Sequence, residues 1–400
     1  MALLRRILRK TVISLVVIFV LLWVATLFLR YPNPIAAARL GLAMPSATVK
    51  LMPSNAIAAT KPVTLGQASA EALPTEVSWW QGPTVKAGLV PAGATRKNLT
   101  EFLTETKTNA FIVMRDGKVT YEWYAPGITK QTQLPSYSVA KTVVGILAGQ
   151  AIAAGKLKES DTFVSMFPQF KSGNDFDTVT LGQLLDMKGG VDVIDDYPSG
   201  PAGWFKPVAQ MYATTDMMFF LRGHHKMLYT PGSRADYRSI DAQLAGMMVR
   251  KATGKSLADL MATQVFPQMG AEFPASWGAD RKGGIERGFC CLNMAARDYA
   301  KLGQLFVTGG TGPNGRVIDP VWFERLRYPS VPSFGENKWG YGAFMWHPRP
   351  DALFMTGLNG QYVLAVPSLK TVVVKLSDDT IGGVTAQSFQ AMFEVANNVN

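Results

Sequence analysis

An uncharged run of 19 residues, Thr11–Leu29, constrains this 400-residue chain more than any other feature. At a helical rise of about 1.5 Å per residue the run spans roughly 28 Å, close to the hydrocarbon thickness of a bilayer. A cleaved secretory signal usually has a shorter apolar core, of about 7–15 residues. We therefore expect residues 11–29 to be a transmembrane anchor. A signal sequence cleaved near Ala36-Ala37-Ala38 is the alternative.

The distribution of charge predicts the orientation of the anchor. Residues 1–10 carry four bases, whereas Arg30 alone immediately follows the span, so the amino terminus is expected in the cytoplasm and the rest outside. Residues 1–70 contain eight bases and no acid, so only +3 of the formal net charge of +11 belongs to residues 71–400. A nucleic-acid partner requires a basic patch in the domain itself, and none is evident, so we expect no nucleic-acid binding.

Residues 30–77 differ in composition from the rest of the chain. They are rich in Ala, Pro, Ser and Thr, and their isolated apolar residues follow no sustained period. This pattern predicts a linker between the membrane and a folded domain. From residue 78 to residue 400 we find neither a second linker nor a repeat, so these residues are expected to form one domain.

The domain alternates between strand and helix patterns. Two β-rich runs, Phe111–Met114 and Val119–Tyr124, flank a tight Asp-Gly turn and predict a hairpin, and residues 361–376 predict a second pair of strands. Ser138–Ala154 is apolar on nearly all sides and predicts a buried helix, and Thr385–Asn397 predicts a closing helix. Strands from both ends of the chain with helices between them predict an α+β fold, in which an antiparallel sheet is flanked by helices.

The buried helix carries a Ser-x-x-Lys tetrad formed by Ser138 and Lys141. A separation of three residues places both side chains on one helical face, and a serine hydroxyl is a weak nucleophile unless a neighbouring base takes its proton. Burial would lower the pKa of the lysine from about 10.4 toward neutrality, so that the amine can help. Such a tetrad is expected by chance about once in a chain of this length. The alternative is a capping serine followed by a solvated lysine.

Two further motifs, Tyr237-Arg238-Ser239 and Met355-Thr356-Gly357, follow the tetrad in order. Together the three motifs resemble those of the serine β-lactamase-related hydrolases, particularly the class C-like branch that includes esterases, D-amino-acid peptidases and 6-aminohexanoate-dimer hydrolases. The resemblance covers roughly residues 78–398 and extends to the segment Val179–Gly190. It implies a β-lactamase/penicillin-binding-protein-like fold, in which a helical subdomain accompanies the sheet.

The resemblance also implies a role for each matching residue. Ser138 would be the acylated nucleophile and Lys141 its activating neighbour. Tyr237 would be a second proton carrier, with its phenol pKa lowered from about 10 by the adjacent ammonium, and either Lys141 or Tyr237 could remove the serine proton. The backbone N–H groups of Ser138 and Leu358 would form an oxyanion hole. The residues expected to contact the substrate are Ser239, Thr356, Gly357 and Asn359.

Two positions depart from the family pattern. Met355 occupies the place of a lysine or histidine that commonly helps to bind a substrate carboxylate, and a thioether cannot do this. Ser239 stands where an asparagine is frequent. The first departure argues against an efficient β-lactamase. A peptidoglycan D-peptidase or a β-lactam-binding protein is the alternative to an esterase or amidase. An alternative of another class is a catalytically silent binding or regulatory domain with the same fold.

Other reactive residue types do not indicate a metal or cofactor site. The histidines are His224, His225 and His347, and no metal-ligand spacing accompanies them. A Ser-His-Asp triad is not expected, because no Gly-x-Ser-x-Gly elbow is present. Cys290 and Cys291 are adjacent and can form only a strained vicinal bridge, so we expect buried thiols.

These patterns and the resemblance predict a membrane-anchored serine hydrolase that cleaves an ester or amide bond of a small molecule through an acyl-serine intermediate. The predicted chemistry requires no cofactor. The lipid bilayer is the expected partner of the anchor, and the expected location is the bacterial inner (cytoplasmic) membrane. The catalytic domain would then face the periplasm or the exterior.

Overall fold

The computed structural model of the protein describes residues 2–81, 90–197, 203, 206–379 and 384–398. The helices in these ranges are α1 (Ala2–Phe28), α2 (Pro34–Leu42), α3 (Pro45–Thr48), α4 (Leu99–Glu105), α5 (Val139–Ala153), α6 (Phe163–Met166), α7 (Leu181–Leu185), α8 (Pro207–Ala213), α9 (Met217–Arg222), α10 (Ser239–Thr253), α11 (Leu257–Leu260), α12 (Phe266–Met269), α13 (Ala296–Val307), α14 (Pro320–Arg327) and α15 (Thr385–Asn397). The strands are β1 (Ser54–Ile57), β2 (Gly66–Gln67), β3 (Glu76–Trp79), β4 (Thr95–Asn98), β5 (Thr108–Arg115), β6 (Lys118–Tyr124), β7 (Leu134–Pro135), β8 (Ala275–Gly278), β9 (Leu292–Met294), β10 (Thr311–Gly312), β11 (Gly315–Arg316), β12 (Val331–Phe334), β13 (Trp339–Gly342), β14 (Met345–Arg349), β15 (Ala352–Gly357), β16 (Gln361–Val366) and β17 (Thr371–Ser377).

The central sheet joins strands from both ends of the domain. Its described strands follow the order β12-β13-β14-β15-β16-β17-β5-β6-β2, and each pair is antiparallel except β2 with β6. The link between early and late segments is the pairing of β17 with β5, which places Val373 opposite Val113. The hairpin predicted from the sequence is β5 and β6, and the second predicted pair of strands is β16 and β17. The predicted α+β fold is therefore confirmed.

Helices cover both faces of this sheet. Successive side chains of a strand point to opposite faces, so Ile112 and Met114 of β5 join the core that contains α5 and α13. Phe111 and Val113 join the core on the other face, where α15 contributes Phe389. Burial of each large apolar side chain contributes about 1.5–3 kcal/mol, so both layers help to hold the sheet in place.

A mostly helical region between α5 and β8, residues 163–269, forms the predicted helical subdomain. Its helix α10 packs against α5 and α7. Beside it lies a smaller sheet with the order β1-β8-β9-β7. In this sheet β7 pairs with β9, with Pro135 opposite Asn293, and the chain passes from β7 almost directly into α5. The small sheet therefore fixes the start of the helix that carries the Ser-x-x-Lys tetrad.

Parts of residues 30–77, the segment predicted as a linker, pair with the domain. β1 pairs in register with β8, placing Ile57 opposite Ala275, and Ile57 is only 1% exposed. β2 extends the edge of the central sheet next to β6. Strands of two to four residues are too short to produce a recognisable period, and the partners of β1 lie more than 200 positions away. A local sequence pattern therefore could not reveal this pairing.

The apolar amino-terminal segment forms α1, and its 25 residues Leu4–Phe28 are long and apolar enough to cross a membrane, with no residue of the most apolar stretch buried. Its length and composition are those of a membrane span or of a signal sequence.

Candidate active site

Ser138 lies at the amino end of α5, on the surface of a cleft. Its side chain makes no capping hydrogen bond to α5, a helix that the structure describes completely. The preceding residue, Tyr137, has a left-handed backbone with φ of 41°, which turns the chain sharply between β7 and the helix. The serine is therefore presented to the cleft and is not used to cap the helix.

Lys141 is buried beside Ser138, with 1% of the residue exposed. Its Nζ lies 2.7 Å from Ser138 Oγ, 3.1 Å from Ser239 Oγ and 3.1 Å from the carbonyl oxygen of Phe289. Burial lowers the pKa of Lys141 to about 8, although the charge of Asp195 acts in the opposite direction. A neutral amine that donates its two hydrogens to Phe289 and Ser239 directs its lone pair toward the hydroxyl of Ser138.

Tyr237 lies close to the tetrad and lines the cleft together with Ser138. The prediction that the neighbouring ammonium lowers its pKa is wrong, because burial raises the pKa of Tyr237 well above 10. Lys141 Nζ lies over the face of the ring, 4.8 Å from its centroid. The ring also belongs to an aromatic cluster in which Trp346 stacks on Tyr237, with ring centroids 5.9 Å apart. Tyr237 therefore keeps its proton at neutral pH.

The end of β15 approaches the nucleophile through Gly357. A Cβ atom on this residue would lie 2.3 Å from the carbonyl oxygen of Ser136 and 3.1 Å from the amide nitrogen of Ser138, so glycine alone allows this approach. The next residue, Leu358, lines the same cleft as Ser138. The segments that carry Ser138 and Leu358 therefore meet at the cleft, where an oxyanion hole would need their backbone N–H groups.

The cleft has a volume of about 330 Å³. The predicted site residues in its lining are Ser138, Tyr237, Thr356, Gly357 and Leu358. The other described residues in its lining are Asp195, Tyr197, Glu336, Asn337, Trp339, Trp346 and Thr385. The charged side chains among these described lining residues are the carboxylates of Asp195 and Glu336. Met355 is 1% exposed and belongs to the core, so the side chain at the third motif's first position does not reach the cleft.

Two residues predicted to contact the substrate lie behind the cleft lining instead. Ser239 is 1% exposed and sits between Lys141 and Asp195. The side chain of Asn359 lies close to the side chain of Tyr137, and its backbone carbonyl oxygen accepts a 3.0 Å hydrogen bond from the amide of Asp379. The Tyr137–Asn359 contact joins the residue before Ser138 to the residue after Leu358. It therefore links the two segments that carry the candidate oxyanion amides.

Asp195 belongs to the site and was not identified from the sequence. Its carboxylate accepts hydrogen bonds from the amide and the hydroxyl of Ser239, at 2.7 and 2.5 Å, and from the hydroxyl of Tyr197 at 3.3 Å. The loop that carries it also contains Asp192 and Asp196. Nothing in the local pattern distinguishes the three acids, because the partners of Asp195 are brought to it by the fold.

The prediction for the two cysteines is wrong. Cys290 and Cys291 form a vicinal disulfide, and both residues are buried. Cys291 has a left-handed backbone, with φ of 70°, so the two cysteines lie in a turn of the chain and not in an extended segment. The bridge directly follows Phe289, whose carbonyl oxygen accepts from Lys141, so it borders the site from behind.

The histidines with described contacts occupy structural positions. His347 Nε2 lies 2.9 Å from the carbonyl oxygen of Leu326, and burial lowers its pKa to about 4. His224 stacks on Phe220 at 3.9 Å. Within the described ranges, no group of three or more His, Cys, Asp or Glu side chains converges as a metal site would require.

Comparison with known proteins identifies the family. Residues 96–396 match the family described as Beta-lactamase, a span that contains all three motifs. The 6-aminohexanoate-dimer hydrolase of Paenarthrobacter ureafaciens is 26% identical over 332 residues, which cover 77% of this chain and 83% of that protein. A beta-lactamase of Pseudomonas fluorescens is 28% identical over 165 residues, which cover 40% of this chain and 42% of that protein.

Solved structures share the fold. A Bacillus anthracis protein described as a 6-aminohexanoate-dimer hydrolase superposes with a TM-score of 0.75 at 22% identity, covering 91% of this chain and 94% of that one. A family VIII carboxylesterase superposes with a TM-score of 0.58 at 16% identity, covering 74% of this chain and 94% of that one. These structures confirm the predicted β-lactamase/penicillin-binding-protein-like fold. Since the family match spans most of the domain, this chain belongs to the beta-lactamase family and is one of its serine hydrolases.

Proposed function

We propose that the protein is a membrane-anchored hydrolase that cleaves an ester or amide bond through an acyl-enzyme formed on Ser138. The observation that carries this proposal is the 2.7 Å contact between Lys141 Nζ and Ser138 Oγ. A buried amine with a pKa of about 8 is available as a base near neutral pH and still regains a proton readily. These are the properties that activation of a serine hydroxyl requires.

The first half of the reaction acylates the serine. Ser138 Oγ attacks the substrate carbonyl carbon while its proton moves to Lys141 Nζ, and negative charge develops on the carbonyl oxygen. The N–H groups of Ser138 and Leu358 stabilise this charge. The bond to the leaving group then breaks, the leaving oxygen or nitrogen takes a proton, and the acyl group stays on Ser138 as an ester.

Tyr237 is suited to deliver the proton to the leaving group. Its raised pKa keeps the phenol protonated, and it lines the cleft beside the serine that Lys141 contacts. The Lys141 ammonium then restores the phenol proton. In the second half a water molecule attacks the acyl carbon, its proton passes to Lys141, and Ser138 leaves with a proton as the acid product is released. This assigns the role of base to Lys141 and leaves Tyr237 as the proton donor.

The cleft supports a substrate without a carboxylate next to the scissile bond. Its described lining contains Asp195 and Glu336 but no basic side chain, and Met355 lies in the core. This disfavours a peptidoglycan D-peptidase or a β-lactam-binding protein, because both would need to bind a substrate carboxylate. The names of the similar proteins, a 6-aminohexanoate-dimer hydrolase and a family VIII carboxylesterase, support the wider class of esters and amides.

Contacts beyond the apolar helix support its retention as an anchor. The carbonyl oxygen of Arg30 accepts a 2.7 Å hydrogen bond from the amide of Thr215 and a 3.3 Å one from the hydroxyl of Thr214. Cleavage after Ala38 would remove Arg30 and these contacts. With α1 retained, residues 1–10 lie in the cytoplasm and the domain outside the bacterial inner membrane.

A fluorophosphonate probe tests the acyl-enzyme. We expect the full-length protein to be labelled and Ser138→Ala to remain unlabelled. Ser165→Ala, which changes an exposed serine at α6, should label like the unchanged protein. Absence of labelling in the folded, unchanged protein would instead indicate a catalytically silent binding domain. A parallel assay with nitrophenyl esters, nitroanilides and a chromogenic cephalosporin then separates esterase, amidase and β-lactamase activity.

A further inference from the structure

We propose that the cleft takes its substrate from the bilayer surface, so that the substrate is an amphiphilic ester or amide whose apolar chain stays in the membrane. This inference rests on the proposed function, in that it requires a retained α1 and an acylated Ser138. It narrows the substrate from any small ester or amide to one that partitions into lipid.

The first support is the place where the anchor meets the domain. Arg30 lies two residues beyond the end of α1, and its carbonyl oxygen is held by Thr214 and Thr215. The interfacial layer on each side of the hydrocarbon is only about 5–8 Å thick. Thr214 and Thr215 therefore lie at the membrane surface when α1 spans the bilayer.

The second support is the short path from that surface to the nucleophile. Tyr212 lies two residues before Thr214, and its side chain lies close to Thr48. Thr48 also lies close to Tyr137, the residue that precedes Ser138. Tyr212 belongs to α8 and Thr48 to α3, which packs against β7, so two short helices connect the exit of the anchor to the segment that carries the nucleophile.

The third support is the segment between the anchor and β1, residues 30–53, here called the strap. Its Ser46 donates hydrogen bonds to the Asp378 carboxylate from the amide at 2.9 Å and from the hydroxyl at 2.7 Å. The next residue, Asp379, donates its amide to the carbonyl oxygen of Asn359, beside Leu358. The strap therefore runs from the membrane surface to the oxyanion edge of the cleft.

The surface along this route combines exposed apolar and basic side chains. On the strap, Leu42 is 86% exposed and Met44 51% exposed, and at the cleft Leu358 is 49% and Tyr197 50% exposed. The strap also carries exposed bases, including Arg39, and no acid. Apolar side chains that enter the acyl boundary, together with bases that attract anionic headgroups, are features of a surface that lies on a membrane.

Such a placement determines which substrates reach Ser138. An amphiphile in the outer half of the bilayer has its polar ester or amide at the headgroup level, which is where the cleft would lie. Most of its apolar chain can remain in the lipid, while Leu358 and Tyr197 contact the part of the chain that enters the cleft. This arrangement does not raise the concentration of a freely soluble substrate near Ser138.

The test uses the full-length protein in vesicles of phosphatidylethanolamine and phosphatidylglycerol. The substrates are 4-nitrophenyl acetate, which is water-soluble, and 4-nitrophenyl palmitate, which is held in the bilayer. At a constant total amount of palmitate ester, added inert lipid dilutes it within the membrane. We expect palmitate turnover to fall in proportion to its mole fraction in the lipid, while acetate turnover does not respond.

A matched pair of variants tests the strap itself. Leu42→Ser should lower the ratio of palmitate to acetate turnover by about tenfold, because it removes the burial of one leucine in lipid. Val321→Ser changes a comparably exposed residue, at 82%, on α14 outside the strap and the cleft lining, and should not change the ratio. Palmitate turnover that ignores lipid dilution, or a ratio unaffected by Leu42→Ser, would overturn this inference while leaving the acyl-enzyme intact. Failure to hydrolyse the palmitate ester in a protein that the fluorophosphonate labels at Ser138 would also overturn this inference, whereas absence of labelling would overturn the proposed function itself.

Discussion

The hydroxyl of Ser239 donates a 2.5 Å hydrogen bond to Asp195 and lies 3.1 Å from Nζ of Lys141. The serine thus connects a carboxylate to the amine that contacts Ser138. The negative charge of Asp195 raises the pKa of Lys141, whereas burial lowers it to about 8. The two opposing effects give predictions for the pH dependence of the reaction.

Lys141 should govern the pH dependence of acylation. The neutral amine accepts the proton of Ser138, and the neutral fraction increases as the pH rises toward the pKa of about 8. We expect kcat/KM for 4-nitrophenyl acetate to rise about tenfold per pH unit well below that pKa and to level off above it. A profile that stays flat across this range would exclude Lys141 as the base.

Asp195→Asn should move this profile to lower pH. Loss of the negative charge removes an effect that raises the pKa of Lys141, so the amine becomes neutral at a lower pH. The matched control is Asp196→Asn, because Asp196 pairs with Lys206 at the surface at 2.7 Å. The midpoints of the three profiles are compared, and an unchanged midpoint in Asp195→Asn would show that Asp195 does not act on the amine.

Gly357→Ala should damage both stability and activity. The added Cβ would lie 2.3 Å from the carbonyl oxygen of Ser136, so the end of β15 must move away from the nucleophile. We expect a loss of about 1–3 kcal/mol in the free energy of unfolding, as for overpacked sites. Displacement of the oxyanion amides should lower kcat by about 100-fold or more.

Gly223→Ala is the control for this substitution, because the new Cβ would lie 3.8 Å from the carbonyl oxygen of Phe220, an ordinary contact, and the φ of Gly223 is −96°. Thermal unfolding in detergent and steady-state kinetics measure the two effects. If Gly357→Ala retains the activity of Gly223→Ala, the close approach of β15 to Ser138 is not needed for the reaction.

Ser46→Ala should loosen the strap. The substitution removes the 2.7 Å hydrogen bond from the hydroxyl to Asp378 but leaves the bond from the backbone amide. A hydrogen bond to a charged group contributes about 1.5–3 kcal/mol, so we expect a loss of about 1–2 kcal/mol in the free energy of unfolding. Asp378 precedes Asp379, whose amide holds the carbonyl oxygen of Asn359 beside the cleft residue Leu358. We therefore expect kcat to fall as well. Unchanged values of both quantities would show that the strap does not support the cleft.

Local sequence patterns were sufficient for the long elements of the fold. The Asp-Gly turn predicted the β5–β6 hairpin, and the all-round apolar character of Ser138–Ala154 predicted α5. Each of these signals repeats over many neighbouring residues. The strap and β1 were missed because their stabilising partners, such as Ala275 for Ile57, are distant in sequence.

The same division applies to the candidate site. A spacing of three residues on a helix was enough to place Ser138 beside Lys141, because helical geometry is local. Asp195, the contact between Tyr137 and Asn359, and the raised pKa of Tyr237 each depend on side chains from different segments.

The sequence by itself determined the amino-terminal apolar helix, the two predicted strand pairs, the nucleophile helix and the order of the three motifs, because each follows from neighbouring residues or from spacing that the family shares. The tertiary structure alone decided the pKa values, the vicinal disulfide, the path of the strap and the position of Ser239 behind the cleft. These properties depend on burial and on charges brought close in space. Neither can be obtained from the spacing of residues along a chain.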